Sequence, residues 1–347
     1  YHTKVEGAQP GGDGTVNGNL YLVGGGDPIL STANYANHFV IHSKIHTSLE
    51  ALADAVVKAG VKHVSGQVVG DDSRYDAQRY VASWPARYAT QNQSGPISAL
   101  SVNDGFTSWP DHEGPNASDD VPATNPPANA ADQFAQLLTQ RGVTVGGGTA
   151  AGTAPAGLPE IAGIDSPPLS QVIQELLTGS DNQTAESIVK ELGVLKGSGG
   201  TTAAGMQVVN AAVAKLGLSR TGSVANDGSG LDGDDKVTCA MLTGILDRSG
   251  RHGIIAAGLP VGGTSGTLSD RFTDPAVKGR IHAKTGTLTS VSALTGFVDT
   301  TQGPSLTFSY IASGRTVDNA LLKIQDTLGA DLVQYPQGPT LAQLGPR

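Results

Sequence analysis

A mixed α and β protein built from more than one domain is what this sequence predicts, on three observations. Residues 16–70 alternate strand and helix patterns. After Ile164 cleanly bounded helices take over, and three strand patterns followed by a helix close the chain. The 347 residues also exceed the roughly 100–200 of a single domain.

Val16 to Val23, with Leu20 and Leu22 alternating, reads as a strand broken by Gly24-Gly25-Gly26-Asp27-Pro28. Thr47-Ser48-Leu49-Glu50 has the form of a capping box. Behind it Leu49, Leu52, Val56 and Val57 share a helical face, and Gly60 stops the helix. Val64 to Val69 reads as the next strand, so 16–70 forms a strand-helix-strand unit. From Asp71 to Asn129 the chain is rich in Pro, Asn, Asp and Ser, which predicts an insertion or small subdomain. Ala130 to Arg141 is helical, Val143 to Val145 is a short strand, and the Gly/Ala/Thr/Pro run of 146–157 suits a boundary.

Ser166-Pro167-Pro168 starts the next helix, since proline is tolerated in a first turn. Leu169, Val172, Ile173, Leu176 and Leu177 carry it to Gly179. A second helix follows, with Ile188, Val189 and Leu192 inward and Gly193 as its stop. Residues 202–216 and 238–247 read as further helices. Ile281 to Thr285, Ser292 to Val298 and Leu306 to Ala312 read as strands, the last two a hairpin across Thr300 to Pro304. Val317, Leu321, Ile324 and Leu328 mark a final helix, and 336–347 is a tail.

The formal charge is −9 and no basic stripe is present, which argues against nucleic acid as a partner. No run of 18 apolar residues exists, so no transmembrane helix is expected. The single cysteine, Cys239, permits neither an internal disulfide nor a multi-cysteine zinc site, and is expected to be a buried small residue. His38, His42 and His46 recur every four residues and would share a face on a helix, as a metal site needs. Phe39-Val40-Ile41 favours extended structure instead, so no metal or other cofactor is expected. The first residue is Tyr1, so the chain is expected to start downstream of its translation start.

Two short motifs carry chemistry: Ser180-Asp181-Asn182, in the joint between two helices, and Lys284-Thr285-Gly286-Thr287, at the end of a strand. In this order, about 100 residues apart, they match the S-x-N and K-T-G elements of penicillin-binding proteins and serine β-lactamases. Longer segments sharpen the match: 18–28 (GNLYLVGGGDP), Ser166 to Leu169, Ser180 to Glu186, 226–231 (NDGSGL) and His282 to Thr287. Through these the chain resembles the class C low-molecular-mass penicillin-binding proteins, D-Ala-D-Ala carboxypeptidases of the penicillin-binding protein 4/DacB type (peptidase family S13), from about Thr3 to Leu328.

The resemblance implies a transpeptidase/β-lactamase-like domain, an antiparallel sheet flanked by helices, with inserted domains in the N-terminal half. Residues 1–163 would be the inserted region, 71–129 a subdomain within it, and 164–335 the C-terminal part of the catalytic domain. It implies a serine-type carboxypeptidase and endopeptidase that cleaves peptidoglycan stem peptides ending in D-Ala-D-Ala through an acyl-enzyme. Such an enzyme is acylated by β-lactams and works outside the cytoplasmic membrane: secreted, periplasmic or wall-associated. Ser180 would relay a proton to the departing amine, with helix capping as its alternative. Asn182 would donate to the substrate amide oxygen, with helix capping as its alternative. Lys284 and Thr285 would hold the terminal carboxylate, Gly286 would leave room for substrate, and the Thr287 N–H would be an oxyanion donor. Ser229 and Leu288 would line the substrate pocket.

The family's S-x-x-K element, which bears the nucleophile, is not found at its expected place upstream. The one match, Ser187-Ile188-Val189-Lys190, lies seven positions beyond Ser180, about 10 Å along a shared helix. A nucleophile needs its proton partner within about 3 Å. The nucleophile is therefore expected outside these residues or on a separate N-terminal chain, and the chain alone is expected to be inactive. A shortened chain or a natural pseudoenzyme is the alternative. Two other functions stay open: a non-catalytic binder of stem peptides, and a β-lactamase.

Overall fold

Two compact units share the chain, interleaved along the sequence. A computed structural model describes residues 1–38, 44–110, 119–314 and 319–338. Tyr1–Val172, Asp181–Ala211 and Asn226–Gly233 form the first unit; Ile173–Ser180, Ala212–Ala225 and Asp234–Arg347 form the second.

The first unit is built on a strand-helix-strand element. Leu20–Val23 leads through the helix Leu49–Lys58 to Val68–Asp71, which lies parallel to it. A crossover helix is what a parallel pair requires. The sheet is five-stranded, in the order Thr149–Ala151, Val68–Asp71, Leu20–Val23, His2–Glu6, Glu160–Asp165. The last two strands join antiparallel. Leu20, Leu22, Leu49, Leu52 and Val56 are fully buried against Phe134 and Leu138 of the helix Pro126–Gln140. Within 71–129, among the described residues, there are a helical turn Arg87–Thr90, a 3-10 turn Asn103–Gly105 and the pair Phe106–Ser108 with Val121–Pro122.

The two strands expected over 16–23 and 64–69 each split. Thr15–Val16 pairs with His63–Val64 in a separate parallel sheet, while Leu20–Val23 and Val68–Asp71 enter the main one. Gly18 and Gly66 make the break. Gly18 has φ +96°, Gly66 N–H bonds Gly18 O at 2.9 Å, and a Cβ on Gly66 would lie 2.6 Å from the Gly18 backbone. The helix cap also falls one residue later than expected. It is Ser48, whose hydroxyl accepts the Ala51 N–H at 3.1 Å, with Glu50 in the first turn.

The helix expected to stop at Gly193 runs from Asn182 to Lys196. Gly193 is a crossing point instead: a Cβ there would lie 2.4 Å from Gly199 O and 3.0 Å from Gly205 N. Its buried face also differs from the expectation. Gln183, Thr184, Glu186, Ser187, Lys190 and Glu191 are buried with Val189, whereas Ile188 and Leu192 are only half-buried. Two of its charged groups find partners distant in sequence: Lys190 Nζ reaches Asp76 and Gln78 O, and Arg74 grips Glu191 with two nitrogens at 2.8 and 2.6 Å.

The second unit carries a three-stranded antiparallel sheet, Ile281–Leu288, Val291–Val298 and Leu306–Ser313. Alternation puts Ile281, Ala283, Leu294 and Val298 in a core with Phe272 and Val333, the latter from the helix Asn319–Val333. Phe297 points to the other face, against Leu246 of the helix Cys239–Ser249 and Ala256. Helices therefore cover both faces. Cys239, expected to be buried, is exposed at its helix start. Val317, expected in the last helix, lies outside the described residues.

Gly66→Ala should cost about 1–3 kcal/mol, because the new methyl meets backbone that cannot rotate away. The urea midpoint should fall with the slope unchanged.

Candidate active site

Ser180 and Asp181 alone separate the helices Leu169–Gly179 and Asn182–Lys196. Ser180 makes the corner with φ +58°. An L-residue adopts this left-handed conformation at about 1–2 kcal/mol. Asp181 is extended and caps the second helix, its carboxylate accepting the Thr184 N–H at 2.9 Å and the Thr184 hydroxyl at 2.8 Å. Asn182 is thus the first helical residue and not the cap, and Ser180 is free of that duty.

Lys284 lies in the middle of the strand Ile281–Leu288, at the edge of its sheet. Its ammonium donates to Ser180 Oγ at 2.6 Å and to Thr285 O at 2.8 Å. Burial pushes its pKa down to about 8. The Ala283 N–H is spent on Pro260 O at 2.9 Å, along the edge away from Val291–Val298. The two-residue period of a strand puts the N–H groups of Thr285 and Thr287 along that same edge. The Thr285 hydroxyl donates to Thr267 Oγ1 at 2.8 Å. A Cβ on Gly286 would meet only Ala293 Cβ at 3.6 Å, an ordinary contact, so packing within the protein does not require glycine there. Thr287 is exposed and Leu288 half-buried, opposite Val291 at the end of the hairpin. Ser180, Lys284 and Thr285 through Leu288 are thus brought together in the second unit.

Asn182 and Ser229 belong to the first unit. The Asn182 amide donates to Gln93 O at 2.6 Å. The Ser229 loop is pinned from below: Glu186 Oε1 accepts the N–H groups of Gly228 and Ser229 at 2.9 and 2.8 Å. Burial, then the neighbouring Asp227 charge, pushes Glu186 up to about 7. Asp227 in turn accepts Trp84 Nε1–H at 2.7 Å. Ser229 Oγ accepts Leu231 N–H at 3.4 Å, a turn contact.

Ser187 and Lys190, the S-x-x-K match, are both buried in the body of the second helix. Lys190 is committed to Asp76 and Gln78 O, so neither side chain can meet a substrate. His46 Nδ1 lies 3.1 Å from Lys44 O, and the short helix Ala33–Ala36 ends before His38, so these two histidines share no helical face. His42 lies outside the described residues.

Sequence reading missed Thr267, Glu186, Asp227 and a buried cluster at Asp181. There Lys44 Nζ pairs with Asp104 and, at 3.0 Å, with Asp181 Oδ2. Tyr35 donates its hydroxyl to the same Asp104 oxygen at 2.8 Å. Burial, then the Asp181 charge, pushes Asp104 up to about 6 against the pull of Lys44. Burial acts the same way on Asp181, but Lys44 and the Thr184 donors outweigh it and hold that carboxyl below its ordinary range. Asp181 was legible as the middle of its motif; nothing in the local sequence marks Lys44 or Asp104.

The model of the D-Ala-D-Ala carboxypeptidase 3 (S13) family matches residues 1–124 and 113–332. The D-alanyl-D-alanine carboxypeptidase of Actinomadura sp. (strain R39) is 30% identical over 398 residues, covering 94% of this chain and 71% of that protein. Carboxypeptidase DacB of Mycolicibacterium smegmatis is 28% identical, covering 90% and 68%. The fold matches penicillin-binding protein 4 (dacB) of Haemophilus influenzae with a TM-score of 0.77 at 20% identity, covering 96% of this chain and 86% of that one. A predatory peptidoglycan endopeptidase of Bdellovibrio bacteriovorus matches at 0.58 and 14%, covering 98% and 82%.

After reductive ¹³C-methylation, an NMR titration should show one lysine signal with a midpoint near pH 8, the value to which burial lowers Lys284. That signal should vanish in Lys284→Arg; its persistence there would assign it elsewhere.

Proposed function

The chain belongs to the D-Ala-D-Ala carboxypeptidase (S13) family, and from that premise we propose that it is the greater part of a serine-type carboxypeptidase and endopeptidase. Its substrates are peptidoglycan stem peptides ending in D-Ala-D-Ala, met outside the cytoplasmic membrane. The reading rests above all on one contact, the half-buried Lys284 ammonium 2.6 Å from the hydroxyl of Ser180, on a strand whose edge is lined by N–H groups.

A serine hydroxyl adds to the carbonyl between the two D-alanines, and its proton passes to the lysine of the S-x-x-K element. Splitting amide hydrolysis into two steps lowers each barrier. As the C–N bond breaks, the proton reaches the departing amine through the Ser180 hydroxyl, and D-alanine leaves. Water then hydrolyses the ester. Lys284 and Thr285 hold the terminal carboxylate, the Thr285 hydroxyl turning from Thr267 to do so. Gly286 admits the peptide against the strand, and the Thr287 N–H faces the carbonyl oxygen as its charge develops. Leu288 continues the same strand beside the peptide's side chains. Asn182, which keeps amide capacity beyond Gln93, and Ser229 take the roles that the family resemblance implies for them, a donor to a substrate amide and a pocket residue.

The nucleophile and its lysine belong, in this reading, to a segment outside these 347 residues or on another chain. The burial of Ser187 and the commitment of Lys190 support that. Residues 1–163 are read as inserted domains and 164–335 as part of the catalytic domain. A β-lactam would be attacked in the same way, but its amine stays tethered and the ester persists. One structural relative, a Bdellovibrio endopeptidase, was solved acylated by penicillin G.

The complete gene product should be labelled covalently by fluorescent penicillin on a denaturing gel. Absence of label with stem-peptide affinity retained would make the protein a binder, and rapid antibiotic turnover would make it a β-lactamase. Lys284→Ala should slow acylation about 30- to several-thousand-fold, the equivalent of about 2–5 kcal/mol for truncating one partner of a buried charge pair. The cationic form of Lys284 is the one that holds the carboxylate, and its pKa is lowered to about 8. Hence kcat/KM, which reports free-enzyme ionisation, should fall as pH rises through about 8; a flat profile there would remove this role.

A further inference from the structure

The buried cluster at Asp181 is costly and the reaction above does not use it. One lysine is shared by two carboxylates, Lys44 and Asp104 buried and the Asp181 side chain 12% exposed, where apolar side chains of similar volume would pack at less cost. Asn103 and Asp104 are both left-handed, with φ +58° and +52°, and neither is glycine. Strain of this kind persists only where the surroundings enforce it, and it gathers at functional sites. Asn103 is enforced: its Oδ1 accepts the Thr32 N–H at 2.8 Å and its amide donates to Gln133 at 2.8 Å. Asp104 is thereby presented to Lys44, and Lys44 to Asp181. Asp181 Oδ1 takes the Thr184 N–H, while Oδ2 takes the Thr184 hydroxyl and Lys44. The carboxylate has no rotameric freedom left.

We propose that Lys44, held by Asp104, is a positioning residue for acyl transfer. It clamps Asp181 so that the peptide flanking it on either side fixes the left-handed corner of Ser180 and the start of the helix at Asn182. This rests on the acyl-transfer reading of Ser180. The backbone angles of Ser180 aim its hydroxyl, and the residue that follows must be immobile for an unfavourable φ to hold. Capping alone does not need the lysine, because an asparagine caps as well as an aspartate.

The test resolves acylation of the complete gene product by benzylpenicillin into a binding constant and a first-order acylation constant. Asp181→Asn keeps the volume and the cap but loses the ion pair with Lys44. Lys44→Met removes the clamp from the other side. Each should lower the first-order constant about ten- to a hundredfold, the effect of a misplacement near 1 Å. The binding constant should stay within about twofold, a split that general loss of structure would not produce. The double variant should be no slower than the slower single one, since both break the same link. If Lys44→Met does not fold, Asp181→Asn decides alone. A folded Asp181→Asn or Lys44→Met with a wild-type first-order constant would overturn the clamp. A wild-type protein that is never acylated would instead overturn the acyl-transfer reading, and the two failures are distinct.

Discussion

Ser180 sits in a backbone conformation that an L-residue resists, and its hydroxyl meets a lysine that burial has made less basic. The one contact imposes conditions on everything near it. An ammonium desolvated in this way is poised to gain from an anion, because a new negative charge would recover the stabilisation that water no longer supplies. It must also be carried on something stiff. An edge strand fully paired along one side supplies that stiffness and leaves a second row of N–H groups to address a peptide.

Polar burial is how the first unit answers the same demand. Its helix Asn182–Lys196 hides Glu186, Lys190 and Glu191, each tied to a partner distant in sequence. Such ties define geometry more sharply than apolar contacts, since a misaligned buried charge is penalised heavily. The loop bearing Ser229 takes its shape from Glu186, and the turn at Ser180 is followed at once by the pinned Asp181. Close backbone crossings at Gly66 and Gly193 add rigidity where side chains would have held elements apart.

Local sequence carried much of this. The strand-helix-strand element, the paired helices around Ser180 and the closing strands are all legible because apolar periodicity and helix stops are local signals. The family was legible from segments such as 226–231 and 282–287, which are specific because their length exceeds chance. Other features were not. His2–Glu6, paired on both sides within its sheet, has a single aliphatic residue, Val5, and looks like a polar terminus. Gly193 reads as a stop because glycine usually is one, and only the crossing chain shows why it is tolerated inside a helix. Cys239 was expected to be buried from its type, but its place at a helix start exposes it.

What the sequence by itself determined is therefore the set of chemical groups and their local settings: a serine at a helix joint, a lysine on a strand, a glycine beside it. Tertiary structure alone decided that Lys284 Nζ lies on Ser180 Oγ, that Lys44 and Asp104 close on Asp181, and that Ser187 and Lys190 are buried, with Lys190 tied to Asp76. The reason is physical. Periodicity and capping act over a few residues of chain, whereas these contacts join groups separated by 60 to 137 positions. Only packing of the whole chain sets such distances, and burial together with the charges it brings near sets the pKa values that follow from them.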